Sequence, residues 1–323
     1  MINQKTTRIA VTCFFIFLFI TMFIPIASAQ KAVILNFDDD WKGQFTYAVP
    51  ILEKYGFKAS FFVTCGCPTY QNLTFCNHAE GNSAMTWEDI GLLSELGHDI
   101  QSHGMSHKDV TTLSAMGLKY EIGQSKKCLL EHNINSTIFG TPYGAGSGNS
   151  TVVNTISKYY EMGRMGYEQL VHLNLTDRHS LPVWTDYQAQ SMYSDNNTKI
   201  LDIFIEVVNS QTQFNGNGTI NAIPIIVYHN VDHENNGPNI GPDWLDSSTI
   251  DVNLFDSEMK YLYDNEFQVL TMSDLGYDQT SNKLYIKNNR YSNEFIAGQN
   301  PTINICHPKL FWLHLLEVSL LKE

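Results

Sequence analysis

Three consecutive aspartates, Asp38, Asp39 and Asp40, stand directly after the apolar run Ala32-Val-Ile-Leu-Asn-Phe37. Three like charges side by side repel one another, and a bound cation would relieve that cost. His103 and His107 lie four residues apart, a spacing that puts two imidazoles on the same side of one helical turn, within reach of one divalent metal. One aspartate would complete a two-histidine, one-carboxylate set with positions left for water. A second aspartate beside it could then accept the proton of that water. The zinc-protease form of such a histidine pair carries Glu after the first His; here Gly104 stands there, so that chemistry is not expected.

The elements that must position these residues alternate between short apolar runs and helical patterns. Strands are predicted at 32–37, 59–64, 98–102, 137–139, 223–228 and 268–270. Helices are predicted at 44–55 with Gly56 as the stop, from the cap Thr86 to Leu96, and at 114–131, 150–161, 199–208 and 254–263. Such alternation implies an α/β fold with a mostly parallel sheet. In parallel folds the C-terminal strand ends share one face, where ligands bind. The aspartates, the two histidines, Pro142-Tyr143-Gly144 and His229 each follow a predicted strand. Four separate segments therefore converge on one face.

These residues resemble the polysaccharide deacetylases with a NodB-type domain, carbohydrate esterase family 4. That family's Thr-Phe-Asp-Asp-Gly motif is similar to Asn36-Phe37-Asp38-Asp39-Asp40, and its His-Ser/Thr-x-x-His motif to His103-Gly-Met-Ser-His107. Its Arg-x-Pro-Tyr/Trp-Gly motif is similar to Gly140-Thr-Pro142-Tyr143-Gly144, and its apolar strand ending in His to Ile225-Ile-Val-Tyr-His229. The resemblance covers about residues 32–230. It implies a distorted (β/α) barrel with fewer than eight strands. The alternation itself, with no linker splitting it, reads as a single domain over 30–275, between a signal peptide at 1–29 and a C-terminal extension at 276–323. The resemblance also implies Asp38 as general base, Asp39, His103 and His107 as metal ligands, the Tyr143 N–H as an oxyanion donor and His229 as general acid. Pro142, Tyr143 and Trp184 are expected to line the substrate site, and Trp41 and Trp244 are further aromatic candidates for stacking on sugar rings. The pattern departs from the family at Gly140, where an arginine normally orients the base, and at Asp40, where a glycine is usual and the extra carboxylate would add charge and bulk at the metal. The fourth family motif has no clear counterpart, with Asp177, Arg178 and Asp186 as candidates.

The expected activity is metal-dependent hydrolysis of N-acetyl groups on a polysaccharide of chitin, peptidoglycan or poly-N-acetylglucosamine type, with zinc as the expected ion. The alternatives are a glycan-binding protein on the same fold and a hydrolase of another small amide. Lys5 and Arg8, the apolar run to Ile26 and Ala27-Ser28-Ala29 have the order of a secretory signal cleaved before Gln30. The formal charge of −13 becomes −15 once Lys5 and Arg8 are removed, which disfavours nucleic acid and anionic lipid as partners. No stable membrane insertion is expected after cleavage, since the apolar stretch Leu310–Leu321 is too short to span a bilayer. Oligomeric state is not legible. Export permits disulfides, and Cys76 pairing with Cys65 or Cys67 would staple a short loop, while five cysteines after cleavage leave one unpaired. Sequons at Asn72, Asn135, Asn149, Asn174, Asn196 and Asn217 suit a glycosylated surface.

Overall fold

The run Ala32–Asp38 (β1) is buried along its whole length because other strands pair with both of its edges. The computed structural model describes residues 30–70, 84–174, 176–193, 196–216, 218–233 and 248–287. Six further parallel strands follow: Ser60–Val63 (β2), Asp99–Ser102 (β3), Ile138–Gly140 (β4), Met162–Tyr167 (β5), Leu181–Thr185 (β6) and Ile225–Tyr228 (β7). They pair in sequence order, and β7 closes onto β1 through Ile34↔Ile225 to Phe37↔Tyr228. The fold is thus a seven-stranded (β/α) barrel. It is distorted where the β5–β6 register shifts between Arg164 and Tyr167, and where Gln268–Leu270 (β8) pairs with the first half of β1.

Strand alternation sorts the side chains. Val33, Leu35 and Phe37 pack outward in the larger core, while Ala32 and Ile34 belong to the smaller core with Phe62, Val183 and Val227. Asp38 continues the Ala32, Ile34, Asn36 series, so alternation alone brings its carboxylate to the top of the lumen. The predicted stop at Gly56 is present, with φ 72 ending the helix Val49–Tyr55 (α1). The Thr86–Asp89 capping box opens Trp87–Glu95 (α2). Asp89 also receives Lys42 Nζ at 2.7 Å, which ties the segment after β1 to that helix.

Several elements differ from expectation. Strands β5 and β6 have no clear signal in sequence: β5 reads Met-Gly-Arg-Met-Gly-Tyr, without a β-branched residue. Gly163 is required there, since a Cβ would lie 2.7 Å from the His179 carbonyl oxygen. The helix predicted over 114–131 is split into Ala115–Leu118, a widened turn at Lys119–Gln124 and Ser125–Glu131 (α3). Ser150–Ile156 (α4) stops before Glu161. The hairpin Leu275–Asp278 and Lys283–Ile286 buries Leu275 and Leu284 in the core with Ile34, so the compact unit runs to Lys287 rather than ending at 275.

Cys65 pairs with Cys128, joining the segment after β2 to α3 rather than closing a short loop with Cys76. Cys67 is also disulfide-bonded. Residues 1–29, Asn72, Cys76, Asn217, Trp244, Cys306 and the stretch Leu310–Leu321 lie outside the described residues. Among the described residues no helix is long and apolar enough to cross a membrane.

Candidate active site

The carboxylate and imidazole groups singled out in sequence meet at the C-terminal mouth of the barrel, in a cavity of about 650 Å³. Asp39 Oδ1 lies 3.3 Å from His103 Nε2 and 3.1 Å from His107 Nε2. The three side chains are buried, with ligand-type atoms within 4.8 Å of one another. His103 Nδ1 lies 2.9 Å from the Gly140 carbonyl, which can only accept, so the proton sits on Nδ1 and Nε2 is left as a donor atom for an ion. Two imidazole nitrogens and one carboxylate oxygen match the coordination chemistry of a divalent metal.

The two histidines converge without the helical turn expected for them. Residues 103–107 form a loop, with φ +95 at Gly104 and φ +53 at His107. Glu121, buried on the widened turn after β3, braces this loop. Its Oε2 accepts from the N–H of Met105 at 3.0 Å and Ser106 at 2.9 Å, and a Cβ at position 104 would lie 3.0 Å from that oxygen. Backbone strain concentrates here: Asp39, Asp40, His107 and Tyr143 all hold left-handed φ between 53 and 76. Strained backbone of this kind costs roughly 1–3 kcal/mol per residue and persists where surrounding structure enforces it.

The three successive aspartates escape mutual repulsion in three different ways. Asp38 accepts from Arg164 Nη2 at 2.8 and 2.7 Å. Burial raises Asp39, but His107 and His103 outweigh burial and hold its carboxyl well below the usual range. Asp40 turns away to accept from Thr64 N–H at 2.8 Å, and burial drives its carboxyl well above the usual range. Its φ of +59 explains why a glycine suits this position, although aspartate tolerates the conformation better than most residues.

His229 follows β7, and its Nε2 lies 3.9 Å from Asp39 Oδ2. Asp38 lies on another side of the trio, with Oδ2 3.7 Å from His103 Nε2. Gln44 links the strands that carry these two groups, donating from Nε2 to the backbone oxygens of Asp38 at 2.5 Å and His229 at 2.7 Å. Tyr143 sits in a tight turn in which Gly144 N–H donates to Thr141 and Ala145 N–H to Pro142, each at 3.1 Å. Its ring packs edge-on to His107 with centroids 4.6 Å apart.

The cavity wall includes Trp41, Tyr143 and Tyr167. Pro142 is buried and shapes the turn. Trp184 does not face the cavity: alternation along β6 sends Val183 and Thr185 there and Trp184 into the outer core. Of the fourth-motif candidates, exposed Asp177 lies 3.9 Å from His179, and Arg178 stacks on Tyr277. Asp186 is buried with Gln190 as its hydrogen-bond donor, at 3.1 Å. Among the described residues, none of the three is within ion-pair distance of His229. Arg164, Gln44 and Glu121 were not anticipated. Arg164 lies on a strand without a readable pattern, and an isolated Gln or Glu in a helical segment carries no signal.

Residues 26–162 match the family model described as Polysaccharide deacetylase. YxkH of Bacillus subtilis (strain 168), named as a polysaccharide deacetylase, is 26% identical over 136 residues, which is 42% of this chain and 44% of that protein. The chain thus matches under half the length of this relative. Similar solved structures include a family 4 carbohydrate esterase from Streptomyces lividans in complex with acetate, at 13% identity and TM-score 0.49, covering 80% of this chain and 100% of that one. Peptidoglycan deacetylase PdaC from Bacillus subtilis is similar at 17% identity and TM-score 0.46, covering 76% and 89%. Residues 26–162, less than half of the chain, thus resemble the polysaccharide deacetylase family.

Proposed function

We propose that this protein is a polysaccharide deacetylase that removes acetyl groups from N-acetylated amino sugars in a polysaccharide, outside the cell and with a divalent metal. The observation that carries the reading is convergence: the ends of β1 and β3 bring Asp39, His103 and His107 within 4.8 Å, with Asp38 and, from the end of β7, His229 beside them in one cavity. Asp39, His103 and His107 would hold the ion, and zinc suits this donor set. When bound, such an ion polarises the acyl oxygen and acidifies water.

The chain's own residues carry the proton transfers. Asp38 accepts a proton from the water as its oxygen bonds to the acyl carbon. The Tyr143 N–H donates to the developing oxyanion. His229 gives a proton to the amide nitrogen as the C–N bond breaks, releasing acetate and a free amino sugar. The exposed rings of Tyr143 and Tyr167 at the cavity suit a sugar face.

Acetate release from chitin oligomers, peptidoglycan and poly-N-acetylglucosamine, with and without chelator, tests the reading. Release from at least one substrate is expected, with loss on chelation and recovery on adding Zn2+. Binding without release from any of them would favour the glycan-binding alternative instead. Export is supported by the Cys65–Cys128 disulfide, a bond typical of oxidising compartments. Sequencing the N-terminus of protein recovered from the medium is expected to begin at Gln30; an intact Met1 on cell-retained protein would refute cleavage.

A further inference from the structure

We propose that Arg164 is the positioning residue for Asp38, and that residue 140 is glycine because the guanidinium occupies the space above it. The inference rests on Asp38 acting as the base. Gly140 on β4 and Arg164 on β5 are register partners. A Cβ built at 140 would lie 2.5 Å from Arg164 Nη2, 3.0 Å from its Nε and 2.7 Å from Phe62. The side chain leans across the strand gap into this space, with its guanidinium carbon 4.0 Å from the Phe62 ring centroid. From there one nitrogen, Nη2, reaches both oxygens of Asp38 at 2.8 and 2.7 Å.

Both partners are at least nine-tenths buried. A buried carboxylate without its cation is strongly disfavoured, so neither group is tolerated well without the other. The contact fixes the carboxylate from the side of β5, while His103 stands 3.7 Å from the same Oδ2. A positive group supplied from position 140 would address the same carboxylate from one strand away. The two positions therefore form an exchangeable pair: an arginine at one requires a small residue at the other.

The experiment compares wild type with Arg164→Ala, Arg164→Lys and the relocated variant Gly140→Arg/Arg164→Gly. It measures kcat and KM for acetate release, with bound metal measured in parallel. Arg164→Ala is expected to lower kcat by about 10²-fold, the scale of a misplaced catalytic group, with KM and metal content little changed. Millimolar guanidinium chloride should restore at least part of that loss, and Arg164→Lys should fall between wild type and Arg164→Ala. The relocated variant should recover most of the rate. Unchanged kcat in Arg164→Ala, or a loss that neither guanidinium nor relocation reverses, overturns the proposal.

A second readout does not depend on turnover. The urea midpoint lost in Arg164→Met should be regained in Arg164→Met/Asp38→Asn, because no buried charge is then left alone. If wild type releases no acetate, the reaction assigned to the site fails and the positioning role falls with it. The urea series then decides separately whether Asp38 and Arg164 are coupled, and additive losses would refute the pairing.

Discussion

Asp38→Asn is expected to lower turnover by about 10²–10⁴-fold, the scale of a lost general base, while the protein keeps its metal. Asp39→Asn, one residue away, is expected to lose metal affinity and activity together. The difference follows from what each carboxylate touches. Both histidine Nε2 atoms face Asp39 Oδ1, at 3.3 and 3.1 Å, so the charge of Asp39 belongs to the donor set. Asp38 is instead held by Arg164, and an Asn side chain there can still accept from Nη2 while being unable to take up a proton. His229→Ala should also retain the ion while lowering turnover strongly. Metal content by elemental analysis and kcat by acetate release check all three. Equal metal loss in Asp38→Asn and Asp39→Asn would show that the roles are not divided in this way.

The second large effect is on stability. Burial raises the Asp186 carboxyl from an ordinary 3.8 to about 7. A folded-state pKa above the unfolded one means that the folded protein binds more protons between those values. Stability from this group is therefore fully present below about pH 4 and is lost as pH rises to about 7. At about 1.4 kcal/mol per pKa unit, the shift amounts to roughly 4 kcal/mol across the window. Glu258 and Tyr228 lie close by, joined by a 2.7 Å hydrogen bond, and the Glu258 carboxyl is also raised well above its usual range, by burial first and then by Asp186. Asp186→Asn cannot ionise, so its advantage over wild type should grow by up to about 4 kcal/mol between pH 4 and pH 8. Urea unfolding of both proteins at the two pH values measures it. A difference independent of pH would mean that Asp186 is ionised in the folded protein at neutral pH.

The sequence was most informative where apolar runs and polar residues change over sharply. Ala32–Phe37 followed by three aspartates, and Ile225–Tyr228 followed by His229, were readable as strands with polar groups at their ends because a short continuous apolar run is the pattern of a strand buried on both faces. His103 and His107 were identified as a pair for the wrong geometric reason. Their spacing suits a helix, but Gly104 with left-handed φ and the brace from Glu121 bring them together on a loop. Trp184 could not be placed without knowing where β6 begins, since a shift of one residue exchanges the cavity face for the core. Asp186 gave the opposite error: it is an acid at a strand end, as active-site acids are, yet its side chain turns back into the core. Arg164 was hidden because β5 is interrupted by Gly163, whose necessity lies in the distant backbone of His179, and no local pattern records such a neighbour.

The pairing of β1 also sets a timetable for synthesis. This strand is the first of the barrel to leave the ribosome, yet Ile225 and Gln268, which pair with it, are translated almost last. At about 5–20 residues per second, roughly ten to fifty seconds separate the appearance of β1 from that of its last partner. Through that interval an apolar strand with an open edge is exposed to other chains, a template for misassociation.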